Sequence, residues 1–179
     1  MSKVVIDTNV LLVANSQHQD VSPDCIEECI RRLTAIQTSG VVVIDDEYRI
    51  LGEYQHKTKL TPPKGAGDVF LKWLLRHAGN PEFVEVVSLT ETAEDRFVEF
   101  PDSQLEPLFD APDRKFAAVA HAHRDKPTIW QAADCKWLDW WPALAVHGVR
   151  VDFICPDDAC RFYTRKFPNK ALPSFPGER

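Results

Sequence analysis

Two patterns of apolar and polar residues alternate along the chain. Short apolar, β-branched runs are separated by longer segments in which apolar residues return every three or four positions. The short runs are typical of buried strands, and the longer segments are typical of amphipathic helices. Strands that alternate with helices predict an α/β fold with a parallel sheet covered by helices on both faces. The predicted strands span residues 3–6, 41–44, 83–89, 128–133 and 149–155.

Capping residues, prolines and glycines mark where the helices begin and end. Ser22 is a typical N-cap, Pro23 suits the first helical position, and Asp24 complements the positive end of the helix dipole. The connection that follows this helix is predicted to end at Gly40. Further helices are predicted to begin at Asp45 and Asp46, at Asp68 as an N-cap, and at Asp113.

The size and composition of the chain fit one folded domain. Its 179 residues are 44% apolar and include ten Phe and five Trp, which suffices for a substantial core. We predict a domain over residues 1–160, with a less typical helical and acidic segment at 57–110, and a basic C-terminal tail at 161–179. No apolar run approaches the roughly 20 residues that span a bilayer, and no signal-peptide pattern opens the chain. A cytoplasmic protein without a membrane partner is therefore expected.

Charge is distributed unevenly, which the net charge of −6 conceals. A negative total argues against nucleic-acid binding by charge alone. Residues 57–76 and 161–179 each carry five Lys or Arg against one acid, whereas residues 81–110 carry nine acids against one Arg. The basic stretches are either solvated or contact backbone phosphates, and the acidic stretch is either solvated or faces a basic partner.

The five cysteines favour reduced thiols. Their number is odd, and neither the Cys25-x3-Cys29 spacing nor the Cys155-x4-Cys160 spacing is that of a structural zinc site. Cysteines of a cytosolic protein ordinarily remain reduced. We therefore expect core or surface thiols.

Four acidic residues are placed where a parallel sheet binds ligands. Asp7 follows the first strand in VVIDTNVLLVAN, and Asp134 follows the strand that contains TIWQAA. Asp113 begins the helix before that strand. Glu53 lies on the border of the buried face of the second helix, where an acid has no packing role. Since ligands bind at the carboxyl ends of such strands, we expect these carboxylates to converge.

Converging carboxylates indicate a divalent cation. An ionised carboxylate away from water is costly unless a cation or strong donors meet it. Several together also raise one another's pKa unless a cation neutralises them. Ligation by oxygen atoms alone suits Mg2+ or Mn2+ rather than zinc. Such a site polarises a phosphoryl oxygen and activates water, so phosphodiester hydrolysis is the expected reaction.

Four segments resemble, in order and spacing, the acidic motifs of PIN-domain nucleases: VVIDTNVLLVAN, DDEYRILGEY, DRKFAAVAHA and AADCKWL. GVRVDFICPDD is similar to the terminal strand of that family. The resemblance implies a three-layer α/β/α sandwich with a central parallel five-stranded sheet, and a Mg2+- or Mn2+-dependent endoribonuclease that acts on single-stranded RNA. It implies Asp7, Glu53, Asp113 and Asp134 as catalytic and metal-binding residues, with Asn9 in support.

The resemblance also implies partners. Toxin-like members of the family act as one half of a toxin–antitoxin pair, so a small antitoxin protein and a homodimer are expected. One departure is Ala132, which lies where Thr or Ser is common in the family. This departure favours an alternative function, a catalytically decayed PIN-like domain that binds protein or RNA.

Several acids have alternative roles. Glu47 is a reserve candidate for the position given to Glu53, although an acid in the first turn of a helix also complements the dipole. Asp139 is a reserve ligand or a solvated residue, and Asp113 is also placed as an ordinary helix cap. A haloacid-dehalogenase-type phosphatase is disfavoured because that chemistry needs a second Asp where this chain has Asn9.

Histidine and tryptophan residues could serve acid–base catalysis or base stacking, but their positions in the sequence favour structural roles. His121 and His123 lie near the end of a predicted helix, where a structural role is favoured over acid–base catalysis. The helical spacing of Trp137, Trp140 and Trp141 favours core packing or a subunit interface over base stacking.

Overall fold

The computed structural model describes residues 1–177, and within them it shows the predicted three-layer α/β/α sandwich. A sheet of five parallel strands is flanked by helices. In chain order the strands are β1 (Ser2–Ile6), β2 (Gly40–Asp45), β3 (Val84–Val87), β4 (Glu91–Ala93), β5 (Arg96–Phe97), β6 (Thr128–Gln131) and β7 (Val151–Phe153). The helices are α1 (Thr8–Ala14), α2 (Pro23–Ser39), α3 (Arg49–Lys57), α4 (Ala66–His77), α5 (Arg114–Ala122), α6 (Trp137–Val146) and α7 (Pro156–Lys166). None of these helices combines the length and apolar character needed to cross a membrane.

Strand β1 occupies the middle of the sheet, whose order is β3-β2-β1-β6-β7. Val4 pairs with Val42 on one side and with Thr128 on the other, both in parallel register. Both faces of the sheet are covered at its centre, where β2 and the second half of β1 are continuous buried runs. The outer strands β3 and β7 each include one acid, Glu85 and Asp152. The central position of β1 places Asp7, the next residue, in the middle of the carboxyl edge of the sheet.

All five predicted strands are confirmed, but three are shorter than predicted. β3 covers 84–87 instead of 83–89, β6 covers 128–131 instead of 128–133, and β7 covers 151–153 instead of 149–155. Beyond the end of β6, the Ala132 carbonyl still accepts from the Cys155 N–H at 3.3 Å, while the Ala133 N–H donates to Asn9 Oδ1 at 2.9 Å. The antiparallel hairpin of β4 and β5 was not predicted, and it lies within the atypical segment 57–110.

Helix α2 begins as predicted, whereas α3 begins later than predicted. Ser22 Oγ accepts a hydrogen bond from the Cys25 N–H at 3.2 Å, and Gly40 follows the last helical residue. Asp45 belongs to β2, so the expectation that it opens α3 is wrong. Its buried carboxylate instead accepts hydrogen bonds from the N–H groups of Arg49 and Ile50, which are the first residues of α3.

Asp68 is not the N-cap of α4. Gly65 holds the cap position, and Asp68 lies in the first turn. Its buried carboxylate accepts hydrogen bonds from the N–H groups of Lys59 and Lys64 and from the side chain of Asn15. These donors fasten the loop before α4 to the end of α1, which the local sequence pattern does not reveal.

Helices α1 and α4 approach closely at Gly67. A Cβ atom at this position would lie 2.3 Å from the carbonyl oxygen of Leu11. Only glycine lets the two backbones come this near. The contact fixes the helix that follows Asp7.

A disulfide joins Cys25 and Cys155, so the expectation of reduced thiols is wrong for this pair. The fold brings the first turn of α2 beside the residue that precedes α7, with a Cα–Cα distance of 5.3 Å. The two cysteines are 130 residues apart in sequence, so their spacing carried no signal. Cys29 and Cys135 are buried thiols.

Much of the predicted C-terminal tail packs onto the domain. The division predicted at residue 160 falls inside α7, whose Tyr163 is buried. Further along, Phe175 contacts Phe153 with ring centroids 5.4 Å apart, and Trp141 Nε1 donates to the carbonyl of Ser174 at 2.9 Å. Residues 178 and 179 of that tail lie outside the described residues.

Candidate functional site

The four predicted acids come from four different segments around the carboxyl edge of β1 and β6. Asp7 directly follows β1, and its N–H donates to the Trp130 carbonyl of β6 at 3.0 Å. Asp134 lies three residues beyond the end of β6. Asp113 ends a short 3-10 turn, Ala111–Asp113, immediately before α5, and Glu53 lies in the middle of α3.

Asp7 is the most deeply buried of the four acids, with 4% of its surface exposed. Its Oδ1 accepts a hydrogen bond from the Asn9 N–H at 2.7 Å and so caps α1. Its Oδ2 is buried and has no hydrogen-bond partner within residues 1–177. A buried carboxylate oxygen without a donor is costly, so this atom is a candidate ligand for a cation.

Electrostatic repulsion links Asp7 to the other three acids. Burial raises the pKa of Asp7 well above its usual range, and the charges of Asp113, Asp134 and Glu53 each raise it further. The Asn9 N–H acts in the opposite direction. The charges of the other three acids therefore act on Asp7.

Asp113 shares this environment. Burial, followed by the charges of Asp134 and Asp110, raises the pKa of Asp113 to about 7. Its side chain makes no capping hydrogen bond to α5, so the structure gives no support to a capping role. Because the Asp113 carboxylate does not cap the helix, its oxygen atoms are available to bind a cation in the site.

The spacing of the acids is wider than that of a closed ligand cage. Within residues 1–177, the group of three potential ligand atoms that all lie within 4.8 Å of one another comes from Cys25, Cys29 and Cys155, and two of these sulfurs are joined in the disulfide and therefore bind no metal. The carboxylates do not form such a group. To bind one ion together, the carboxylate oxygens of these acids would have to move closer to one another.

Lys115 is a buried cation of the site that the sequence analysis missed. It is 5% exposed, and its Nζ donates to Glu53 Oε2 and to the Pro112 carbonyl. The hydroxyl of Thr8 donates to Glu53 Oε1 at 2.6 Å. Both oxygens of Glu53 are thus hydrogen-bonded. The sequence signal for Lys115 was weak, because a lysine in the first turn of a helix is ordinarily solvated.

Polar side chains hold the strand ends in place around the acids. The side chain of Asn9 bonds to the N–H of Ala133 rather than to Asp7, so it joins the start of α1 to the segment after β6. Gln131 Oε1 accepts from the Asp134 N–H at 3.1 Å. Ala132 is fully buried.

Tyr54 supports the end of the central strand. It is fully buried, and its hydroxyl donates to the Ile6 carbonyl. Burial raises the pKa of Tyr54 well above its usual range, and the charge of Asp7 adds to this effect. The tyrosine therefore stays neutral beside the acids.

The reserve acids lie in different surroundings. Glu47 is exposed in the turn before α3, where it helps to raise the pKa of Arg49. Asp139 accepts a hydrogen bond from the Tyr163 hydroxyl at 2.6 Å and lies 3.4 Å from Lys170 Nζ. Neither acid is among the charges that most affect Asp7 or Asp113. The structure thus favours Glu53 over Glu47.

The predicted histidine and tryptophan side chains have structural contacts. The ring of His121 bonds to the Glu99 carbonyl, and that of His123 bonds to Glu85 at 2.6 Å. Trp137 is fully buried, and Trp140 stacks on Phe109 with ring centroids 4.2 Å apart. These contacts agree with the expected structural roles.

Comparisons with protein-family models, curated proteins and solved structures find no significant match to this chain.

Proposed function

We propose that this protein is a Mg2+- or Mn2+-dependent endoribonuclease that hydrolyses phosphodiester bonds of single-stranded RNA. The buried, unpartnered Oδ2 of Asp7, whose pKa is raised by burial and by the charges of Asp113, Asp134 and Glu53, is the observation that carries the proposal. The four acids supply oxygen ligands only, which is the donor set that these cations prefer.

Each acid has a distinct setting in the proposed site. Asp7 is fixed by the α1 cap, and Asp134 is positioned through the bond from its N–H to Gln131. Asp113 has its full ligand capacity because it caps no helix. A divalent cation bound here would neutralise the carboxylates and polarise a phosphoryl oxygen of the substrate.

Lys115 neutralises Glu53 and keeps an ammonium group beside the other acids. Its charge also lowers the pKa of Asp113, whereas the charges of the neighbouring acids raise it. A substrate phosphate held at the acids would be attracted by this cation. Lys115 therefore partly offsets repulsion between the acidic site and an RNA backbone.

Asp7→Asn and Asp113→Asn test the proposal. Each should reduce Mg2+-dependent cleavage of single-stranded RNA below detection while the protein still folds, because the amide removes a ligand charge and relieves repulsion. Asp139→Asn is the matched control and should retain activity. Unchanged cleavage in both site variants, with EDTA and Mg2+ controls, would overturn the proposal.

A second candidate function is a PIN-like module that binds protein or RNA without cleaving it. The ion pair between Lys115 and Glu53 favours this candidate, because it neutralises one of the acids without a metal. The wide spacing of the carboxylates also favours it. Titration with Mn2+ separates the two functions: a metal site raises the melting temperature by mass action, whereas a decayed site leaves it unchanged.

A further inference from the structure

A pocket of about 270 Å³ opens beside Asp134, and neither Lys115 nor Glu53 lines it. It is lined by Asn9, His18, Ala133, Asp134, Phe162 and Lys166, among others. Asp134 belongs to both the pocket and the acidic site, since its charge raises the pKa of Asp7 and of Asp113. The pocket is therefore adjacent to the proposed scissile phosphate.

Two aromatic rings form one wall of this pocket. His18 lies between α1 and α2, and Phe162 lies on α7. Their ring centroids are 5.4 Å apart, with an angle of 31° between the ring planes. Both side chains remain partly exposed. The two rings are tilted against each other, and the guanidinium carbons of Arg161 and Arg165 lie 4.9 and 5.9 Å from the Phe162 ring centroid. The exposed part of this aromatic pair is suited to stacking against a nucleobase, whatever its identity.

A lysine with no acidic partner lies on the same pocket. Lys166 is exposed and makes no ion pair with any of residues 1–177 within 4.0 Å. Its neighbours differ, because Arg161 pairs with Asp158 and Arg165 pairs with Asp20. The charge of Lys166 is thus available to a phosphate, and it offsets the repulsion that Asp134 exerts on one.

We propose that this pocket binds the nucleotide next to the scissile phosphate of a single-stranded RNA. The base stacks on the rings of His18 and Phe162, and the backbone phosphate of that nucleotide contacts Lys166. This inference rests on the proposed nuclease function, because that function places the scissile phosphate at the acids beside the pocket. The binding that it describes is measurable without catalysis.

The experiment measures binding of a short fluorescein-labelled oligouridylate by anisotropy in EDTA, over a series of salt concentrations. Phe162→Leu keeps an apolar side chain but removes the ring, and it should weaken binding about tenfold. Phe162→Trp keeps a ring and should bind within about threefold of the wild type. The melting temperature of each variant shows whether the fold is retained.

Lys166→Ala tests the phosphate contact through the salt dependence. Loss of one phosphate contact should lower the slope of log K against log[salt] by roughly 0.7 for a single strand. Arg150→Ala is the matched control. Arg150 is exposed and directly precedes β7, so it lies at the amino ends of the strands, whereas the pocket lies beyond their carboxyl ends. This substitution removes the same charge from the chain and should leave the slope unchanged.

Cleavage assays of the same variants distinguish this inference from the proposed function. If the wild type cleaves RNA while Phe162→Leu and Lys166→Ala bind and cleave as it does, the pocket assignment is overturned and the nuclease remains. If the wild type does not cleave but both variants weaken binding as predicted, the nuclease fails and the pocket stands. Should Phe162→Leu fail to fold, the salt slope of Lys166→Ala decides. A wild type that binds no oligouridylate, in EDTA and in Mg2+ alike, also overturns the assignment.

Discussion

Asp113→Asn should stabilise the protein stripped of metal, by an amount that grows between about pH 4 and about pH 7 and is complete above about pH 7. The pKa of Asp113 rises from its ordinary value of 3.8 to about 7 because of burial and of the charges of Asp134 and Asp110. The folded protein therefore holds this proton more tightly than the unfolded chain does. A carboxyl group of this kind contributes stability that is fully present below about pH 4 and is lost as the pH rises through about 7.

The size of the effect follows from the two pKa values. Their difference corresponds to about 4 kcal/mol at about 1.36 kcal/mol for each pH unit. This is an upper bound, because Asp113 is partly exposed and water screens its charge. We expect Asp113→Asn to be more stable than the wild type by about 2 kcal/mol at pH 8. For a chain of this size, that corresponds to about 4–8 °C in melting temperature.

The assay is thermal unfolding in EDTA between pH 5 and pH 8.5. Carboxylates whose pKa is lowered in the folded protein titrate below this pH range. In Glu28, for example, Arg31 and Arg32 lower the pKa to about 2, so the stability that this group contributes is lost only below about pH 4.5. Asp139→Asn is the control, because it makes the same chemical change outside the acidic site. The difference between Asp113→Asn and the wild type should grow from pH 5 to about pH 7 and then stay constant, and that of the control should not change. A difference for Asp113→Asn that is absent at pH 8, or constant across the range, would refute the account of repulsion.

Two further predictions concern the packing around the site. Lys115→Met should lower the free energy of unfolding by about 2–4 kcal/mol, because it leaves the Glu53 carboxylate half-buried without its cation. Adding Glu53→Gln should recover at least half of that loss in urea denaturation, and strictly additive losses would contradict the ion pair. Gly67→Ala should cost about 1–3 kcal/mol through its clash with the Leu11 carbonyl. Gly52→Ala, where a Cβ meets nothing within 4 Å, should instead gain about 0.5–1 kcal/mol in the same measurement, and equal effects of the two substitutions would contradict the close approach.

The sheet and its order of elements were predictable because they follow from local patterns. Strands buried on both faces are continuous apolar runs, and α2 carries its start signal at Ser22 and Pro23. The position of Asp7 was predictable for the same reason, since it directly follows an apolar strand and caps the helix that comes next. In each case the signal lies within a few residues of the feature.

Features that depend on distant residues were not predictable in this way. The disulfide between Cys25 and Cys155 exists because the sheet order brings α2 beside the end of β7. The burial of Lys115 depends on Glu53, which is 62 residues away in the chain. Asp68 was interpreted as a cap because local sequence suggests one, whereas its partners are the backbone of a preceding loop and a side chain of α1.

The disulfide divides the chain into a covalent ring, from residue 25 to residue 155, and two ends that lie outside it. Strand β1 belongs to one of those ends, yet it lies between β2 and β6, which are both inside the ring. A single proteolytic cut in the exposed stretch at residues 16–20 would therefore leave the central strand and Asp7 held by noncovalent pairing alone. Such a cut would turn the protein into a two-piece assembly, in which a short N-terminal peptide carries Asp7 and completes the sheet by inserting between two strands.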